Sequence, residues 1–110
     1  MTNRFFKALA TGAAITVGVA SAASAAECIA PANPGGGWDF TCRQIGKIMY
    51  DIGAVDKPIQ VTNMPGAGGG LAFNTVVNER SDDADLIIAA SSATTTRLAQ
   101  NAYAGRTAGE

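Results

Sequence analysis

The sequence predicts an α/β domain of β-α-β-α-β order on a parallel sheet, behind an export signal. Three observations predict it. Short apolar runs at Cys28-Ile29-Ala30, Ile59-Gln60-Val61-Thr62 and Leu86-Ile87-Ile88-Ala89-Ala90 start about 30 residues apart, an interval that suits βαβ units. Stretches with helical spacing of apolar residues fill the gaps. A Gly-rich or Ser/Thr-rich segment follows each run, where the chain turns from strand into helix. Parallel strands with right-handed crossovers follow from that order.

The first element is not part of the domain. Arg4 and Lys7 precede an uncharged stretch over residues 8–26, mostly Ala, Gly, Ser and Thr. Ala23-Ser24-Ala25 is an A-x-A cleavage site, so residues 1–25 read as a secretory signal peptide cleaved near Ala25. The alternative is a membrane anchor. A stretch of this length could just span a bilayer, but its few strong apolar residues favour cleavage. Residues 26–110 would then form the mature, exported chain. Glu27 before Cys28 argues against a lipoprotein cysteine.

Each domain element has its own signal. Cys28-Ile29-Ala30 makes a short first strand. Over residues 39–52, Ile45, Ile48, Met49 and Ile52 recur at i, i+3, i+4, i+7 and predict a helix, with Arg43, Gln44, Lys47 and Asp51 on the other side. Gly53 ends it as a C′ glycine. Ile59 to Thr62 alternates with period two and predicts the second strand. Residues 70–80 carry a broad apolar face of Leu71, Ala72, Phe73, Val76 and Val77. The continuous run Leu86 to Ala90 predicts a third strand covered on both faces. A short helix is expected after Thr94, through Leu98, Ala99 and Gln100.

Composition excludes several functions. Eight Lys and Arg stand against nine Asp and Glu, with no basic cluster, so no nucleic-acid partner is expected. Without the signal the mature chain carries a net charge of −3. The absence of His excludes Ser-His-Asp and Cys-His centres and His-ligated metals. Two cysteines alone cannot build a zinc or iron–sulfur site, and no cofactor is expected. In an exported chain, Cys28 and Cys42 are expected to pair as a disulfide rather than remain two buried thiols.

In open parallel sheets, ligands sit beyond the carboxyl ends of the strands. Three segments fall there: Pro34-Gly35-Gly36-Gly37-Trp38-Asp39, Asn63-Met64-Pro65-Gly66-Ala67-Gly68-Gly69-Gly70 and Ser91-Ser92-Ala93-Thr94-Thr95-Thr96. Glycine lets backbone approach a ligand, helix N-termini favour anions, and hydroxyls donate hydrogen bonds. Each segment also has a plainer reading. The glycines can be tight turns, and Ser91 to Thr96 a solvated cap. Asp39 can be a favourable first-turn carboxylate, and Trp38 a packing residue. Nucleotide motifs fail. No lysine lies in either glycine cluster for a P-loop, and Leu71 or Phe40 occupies the third glycine position of a dinucleotide fingerprint. Ser91 and Ser92 lack a G-x-S-x-G elbow.

The stretch from Glu27 to Arg43, with Pro34-Gly35-Gly36-Gly37-Trp38-Asp39 at its centre, resembles the start of a mature tripartite tricarboxylate transporter receptor. Val61-Thr62-Asn63-Met64-Pro65-Gly66-Ala67-Gly68-Gly69 resembles that family's second signature, and Ile88 to Tyr103 the following strand and Ser/Thr loop. The resemblance implies a non-enzymatic, periplasmic solute-binding protein of the type II periplasmic binding fold. It implies two α/β lobes closing on a small carboxylate such as citrate, and delivery to integral membrane subunits. It assigns Gly35, Gly36, Gly37, Trp38 and Asp39 as the leading ligand loop. Gly66, Ala67, Gly68, Gly69, Ser91, Ser92, Ala93 and Thr94 would form the rest of the wall. Family members are about two domains long, so residues 26–110 are expected to be a truncated part of the first lobe. Two other readings stand beside this one. One is a small secreted α/β enzyme acting on an anionic metabolite, for which only Asp39 and the Ser/Thr cluster offer chemistry. The other is a non-functional remnant.

Overall fold

The computed structural model describes residues 25–103. The expected signal over residues 1–25 lies outside that range except for Ala25, and so does the tail from residue 104. The described residues form a small α/β domain. In chain order it comprises β1 (Glu27–Ala30), α1 (Gly37–Asp51), β2 (Gln60–Asn63), a 3-10 turn (Ala67–Gly69), α2 (Gly70–Glu79), β3 (Leu86–Ile88) and α3 (Ser92–Ala99). The β-α-β-α-β order is as expected.

The sheet is parallel, in the order β2-β1-β3. Cys28 pairs with Val61 on one side and Ile87 on the other. The central position explains why the four-residue β1 is so deeply buried: Cys28, Ile29 and Ala30 are between 0 and 3% exposed. The two crossovers, β1 to β2 and then β2 past β1 to β3, run in opposite directions across the sheet, so right-handedness puts α1 and α2 on opposite faces. Cys28 and Ala30 join Cys42, Ala89, Trp38, Ile59 and Val61 on the α1 side. Ile29 alternates to the other face.

Helix α1 is stapled to β1. Cys28 and Cys42 form the expected disulfide, with their Cα atoms 5.7 Å apart. One turn on, Gly46 is buried, and a Cβ there would stand 3.2 Å from Ile59 Cβ. Small residues thus bring the helix axis close to the sheet. The helix starts at Gly37, two residues earlier than the pattern indicated, and stops as expected, with Gly53 at φ +73°.

The apolar stripe of α1 does not face the sheet. The buried positions are Asp39, Cys42 and Gly46, whereas Ile48 and Ile52 are 51% and 72% exposed and Ile45 is also exposed. Cys42 and Gly46 set the helix rotation, which turns the isoleucines away from the packed face, with Ile45 bordering Ile87 and Ile88 of β3. The run from Leu86 is likewise corrected. It pairs over three residues, lies at a sheet edge, and leaves Ile87 exposed, so it is not covered on both faces. Strand β2 is shifted by one residue from the predicted run, and α3 starts before Thr94, at Ser92.

Away from the loops that follow the strands, Arg80 ties the end of α2 to the start of β1. Its guanidinium reaches Glu27 at 2.7 Å and Asp83 at 2.6 Å. On the α2 side, Tyr103 is almost fully buried, with its ring centroid 5.8 Å from that of Phe73.

Candidate functional site

The three segments beyond the strand ends are built differently. In the first, Gly35 takes φ +86°, which turns its N–H toward Asp39, and it donates to Asp39 Oδ2 at 2.8 Å. The Gly36 N–H donates to the Asn33 carbonyl at 2.9 Å. There is no room for a side chain at Gly36, since a Cβ would meet Ala32 Cβ at 3.0 Å and the Asn33 carbonyl oxygen at 3.1 Å. The loop is therefore tightly folded on itself before the helix begins.

Gly36 is the N-cap of α1, and no side chain caps that end. The first intrahelical donor is Phe40 N–H, which reaches the Gly36 carbonyl at 2.9 Å. The N–H groups of Gly37, Trp38 and Asp39 precede it and have no intrahelical acceptor. They lie at the positive end of the helix dipole.

Asp39 is 3% exposed, and its carboxylate is already fully engaged. Arg43 reaches it through Nε at 3.0 and 3.1 Å and Nη2 at 3.0 Å, one turn along the helix. Gly35 N–H and Asn63 Nδ2, the latter at 2.9 Å, complete the set. The Arg43 bond, then the Gly35 amide and Asn63, hold its carboxyl far below the ordinary value. The same pairing raises Arg43. Asp39 is thus an ionised brace joining loop, helix and neighbouring strand. It offers no proton and no unoccupied face to a ligand. Arg43 balances its charge and leaves the amide end of α1 electrically suited to an anion.

An open cavity of about 450 Å³ lies at this helix end, lined by Gly37, Trp38, Thr41, Ala90 and Ser91. The first glycine loop and the β3–α3 connection therefore meet. In the latter, Ser91 N–H donates to Thr94 Oγ1 at 3.2 Å, and Thr94 N–H to the Ser91 carbonyl at 2.9 Å. Thr94 is buried and serves as a helix cap, the plainer of its two readings. Ser92 and Ala93 are exposed and do not line the cavity.

The second glycine cluster takes a supporting position. Gly66, Gly68 and Gly69 all have positive φ, as does Ala67 at +49°. Gly69 is buried where a Cβ would touch the Tyr103 hydroxyl at 3.0 Å, the Trp38 ring at 3.5 Å and Pro31 Cβ at 3.6 Å. It packs behind Trp38, and none of Gly66, Ala67, Gly68 and Gly69 lines the cavity.

Asn63, Thr41 and Ala90 are contributors that the sequence reading does not assign to the ligand wall. A polar residue closing a strand, as Asn63 closes β2, is the one local signal among them. Among the described residues, no group of three or more His, Cys, Asp or Glu side chains is placed to hold a metal ion. No family model, curated protein or solved structure matches the chain.

Proposed function

We propose that this chain is part of the first lobe of a periplasmic solute-binding receptor for a tricarboxylate such as citrate, or a related carboxylate. In this reading it belongs to the type II periplasmic binding fold and hands its ligand to the membrane subunits of a tripartite tricarboxylate transporter. The observation that carries the reading is the uncapped N-terminus of α1. Gly37 and Trp38, whose amides have no intrahelical acceptor, line a cavity that Ser91 also borders. Such an end is suited to a carboxylate, because its donors lack acceptors and its dipole favours negative charge. The mature chain is acidic, so attraction must come from local donors and not from overall charge. The sequence resemblance supports the choice of carboxylate over other anions.

Binding by one lobe is weak in this reading. Donors facing water gain much less than donors enclosed between two lobes. A Kd no better than about 1 mM is expected, near 4 kcal/mol. The test is a citrate titration of ¹⁵N-labelled chain followed by NMR. Saturable shifts centred on the Gly37 and Trp38 amides are expected. Shifts scattered over the surface, or none at citrate concentrations well above that Kd, would refute the site.

A further inference from the structure

The signal reading of residues 1–25 puts the cut between Ala25 and Ala26. The sheet begins at the same point. The Ala26 carbonyl accepts Gln60 N–H at 2.9 Å, and Glu27 N–H donates to the Asp85 carbonyl at 2.9 Å. Glu27 opens β1 and pairs with Gln60 on one side and Leu86 on the other. Its carboxylate is held as well, by Thr62 Oγ1 at 2.5 Å and Arg80 Nη2 at 2.7 Å. The residues that follow the cut are therefore the first rungs of the central strand, with a neighbour on each side.

A protease takes its substrate as accessible, extended backbone. Whether a bond is cut is decided by the burial and hydrogen bonding of the backbone around it. Here Ala26 alone separates the cut from β1. Freeing Ala26 and Glu27 opens the ends of both ladders and breaks the Glu27 ion pair. Peeling stops there, because Cys28 is bonded to Cys42 of α1.

We propose that the signal is removable only before β1 enters the sheet: cleavage after Ala25 and closure of the β2-β1-β3 sheet exclude one another. Maturation then runs in a fixed order, cleavage first and sheet closure second. The Cys28–Cys42 bond afterwards locks the strand in place. This inference rests on the signal reading of residues 1–25 and is independent of the carboxylate site.

The test uses the full chain of residues 1–110, refolded and oxidised in detergent with the signal attached, and a membrane signal peptidase. Intact mass follows the product that starts at Ala26. A second precursor carries about six Gly and Ser residues between Ala26 and Glu27, which sets the cut about 20 Å farther from the sheet. A third carries Ile29→Asp, which puts a charge at a fully buried position of β1 and keeps the chain unfolded. The spacer and Ile29→Asp precursors are expected to be cut at least about tenfold faster than the folded, unaltered one, whose cleavage waits on its small open population. Resistance of the spacer and unaltered precursors to alkylation, and their amide dispersion, identify the folded state. If the unaltered precursor folds only once its signal is gone, the order stands. Equal cleavage rates for the folded unaltered precursor and the spacer variant would overturn it. No cleavage of any precursor, or cleavage elsewhere than after Ala25, would overturn the signal reading and this inference together, and would leave the carboxylate site untouched.

Discussion

Asn63 at the end of β2 donates its side-chain amide to Asp39 in the first turn of α1, at 2.9 Å and across 24 residues of sequence. The same nitrogen reaches the Ala32 carbonyl at 3.0 Å. With Gly35 bound to the other Asp39 oxygen, one side-chain pair holds the first glycine loop to the neighbouring strand. The loop therefore keeps its shape through protein contacts alone, and its amides need little reordering to meet an anion.

Removing Asn63 tests that brace. Asn63→Ala deletes a hydrogen bond to a charged group and leaves the Asp39 carboxylate one donor short. The expected cost is about 1.5–3 kcal/mol in urea unfolding. The amide signals of Gly35 to Trp38 should move more than those of α2. An unchanged unfolding midpoint would remove Asn63 from the loop's support.

Asp39 also predicts a pH dependence. Its carboxyl is held far below the ordinary 3.8 by Arg43, Gly35 and Asn63. A carboxyl lowered in the folded state stabilises fully above its unfolded value and loses that contribution as pH falls through the folded one. Stability should therefore decline below about pH 4. Asp39→Asn should be less stable at neutral pH and show a shallower acid decline. Glu27, lowered by Arg80 and Thr62, and Asp83, lowered by Arg80 and the Asp85 amide, keep some slope in the variant. Parallel acid curves for the two proteins would contradict the assignment.

The disulfide should matter more than its size suggests. It closes a separation of 14 residues and fixes α1 on β1. Reduction should cost roughly 3 kcal/mol in the chain-entropy model. Folded, oxidised protein should resist alkylation at Cys28 and Cys42 until a reductant is added. Ready labelling of both without reductant would show that the pair is not formed.

The packing face of α1 can be tested by contrast. Gly46→Val introduces a Cβ 3.2 Å from Ile59 Cβ and further methyls beyond it. Overpacking of this kind costs about 1–3 kcal/mol. Ile52→Lys, at a position 72% exposed, should change stability by no more than about 0.5 kcal/mol. If the isoleucine stripe were the packed face, the order of these two effects would reverse.

The element order, the parallel sheet, the cysteine pair and the glycine stop after α1 were all legible in the residues themselves. Each depends on local chemistry: apolar run length, spacing, and the freedom of glycine at positive φ. The site was legible only in part. Gly37, Trp38 and Ser91 do line one cavity, because neighbouring parallel strands put their following loops on the same edge, whereas Gly35, Gly36 and Asp39 are held in bonds within the loop. Gly66, Ala67, Gly68 and Gly69 read as a ligand loop, yet Gly69 is buried behind Trp38, and nothing in the local sequence distinguishes a glycine that admits a ligand from one that admits a tyrosine.

What the sequence by itself determined is the set of elements and where the chain turns, since these follow from interactions within a few residues. The tertiary structure alone decided which way α1 faces and which side chains its first turn engages. A stripe of Ile45, Ile48 and Ile52 states where a helix is apolar, but the contact is settled by how closely two backbones can approach. Cys42 is bonded to Cys28, and Gly46 leaves room for Ile59, so the close approach falls on their face and the isoleucines turn outward. The partners of Asp39 were hidden for the same reason. Arg43 is a neighbour that helical spacing reveals, whereas Asn63 reaches Asp39 only once β2 has paired beside β1.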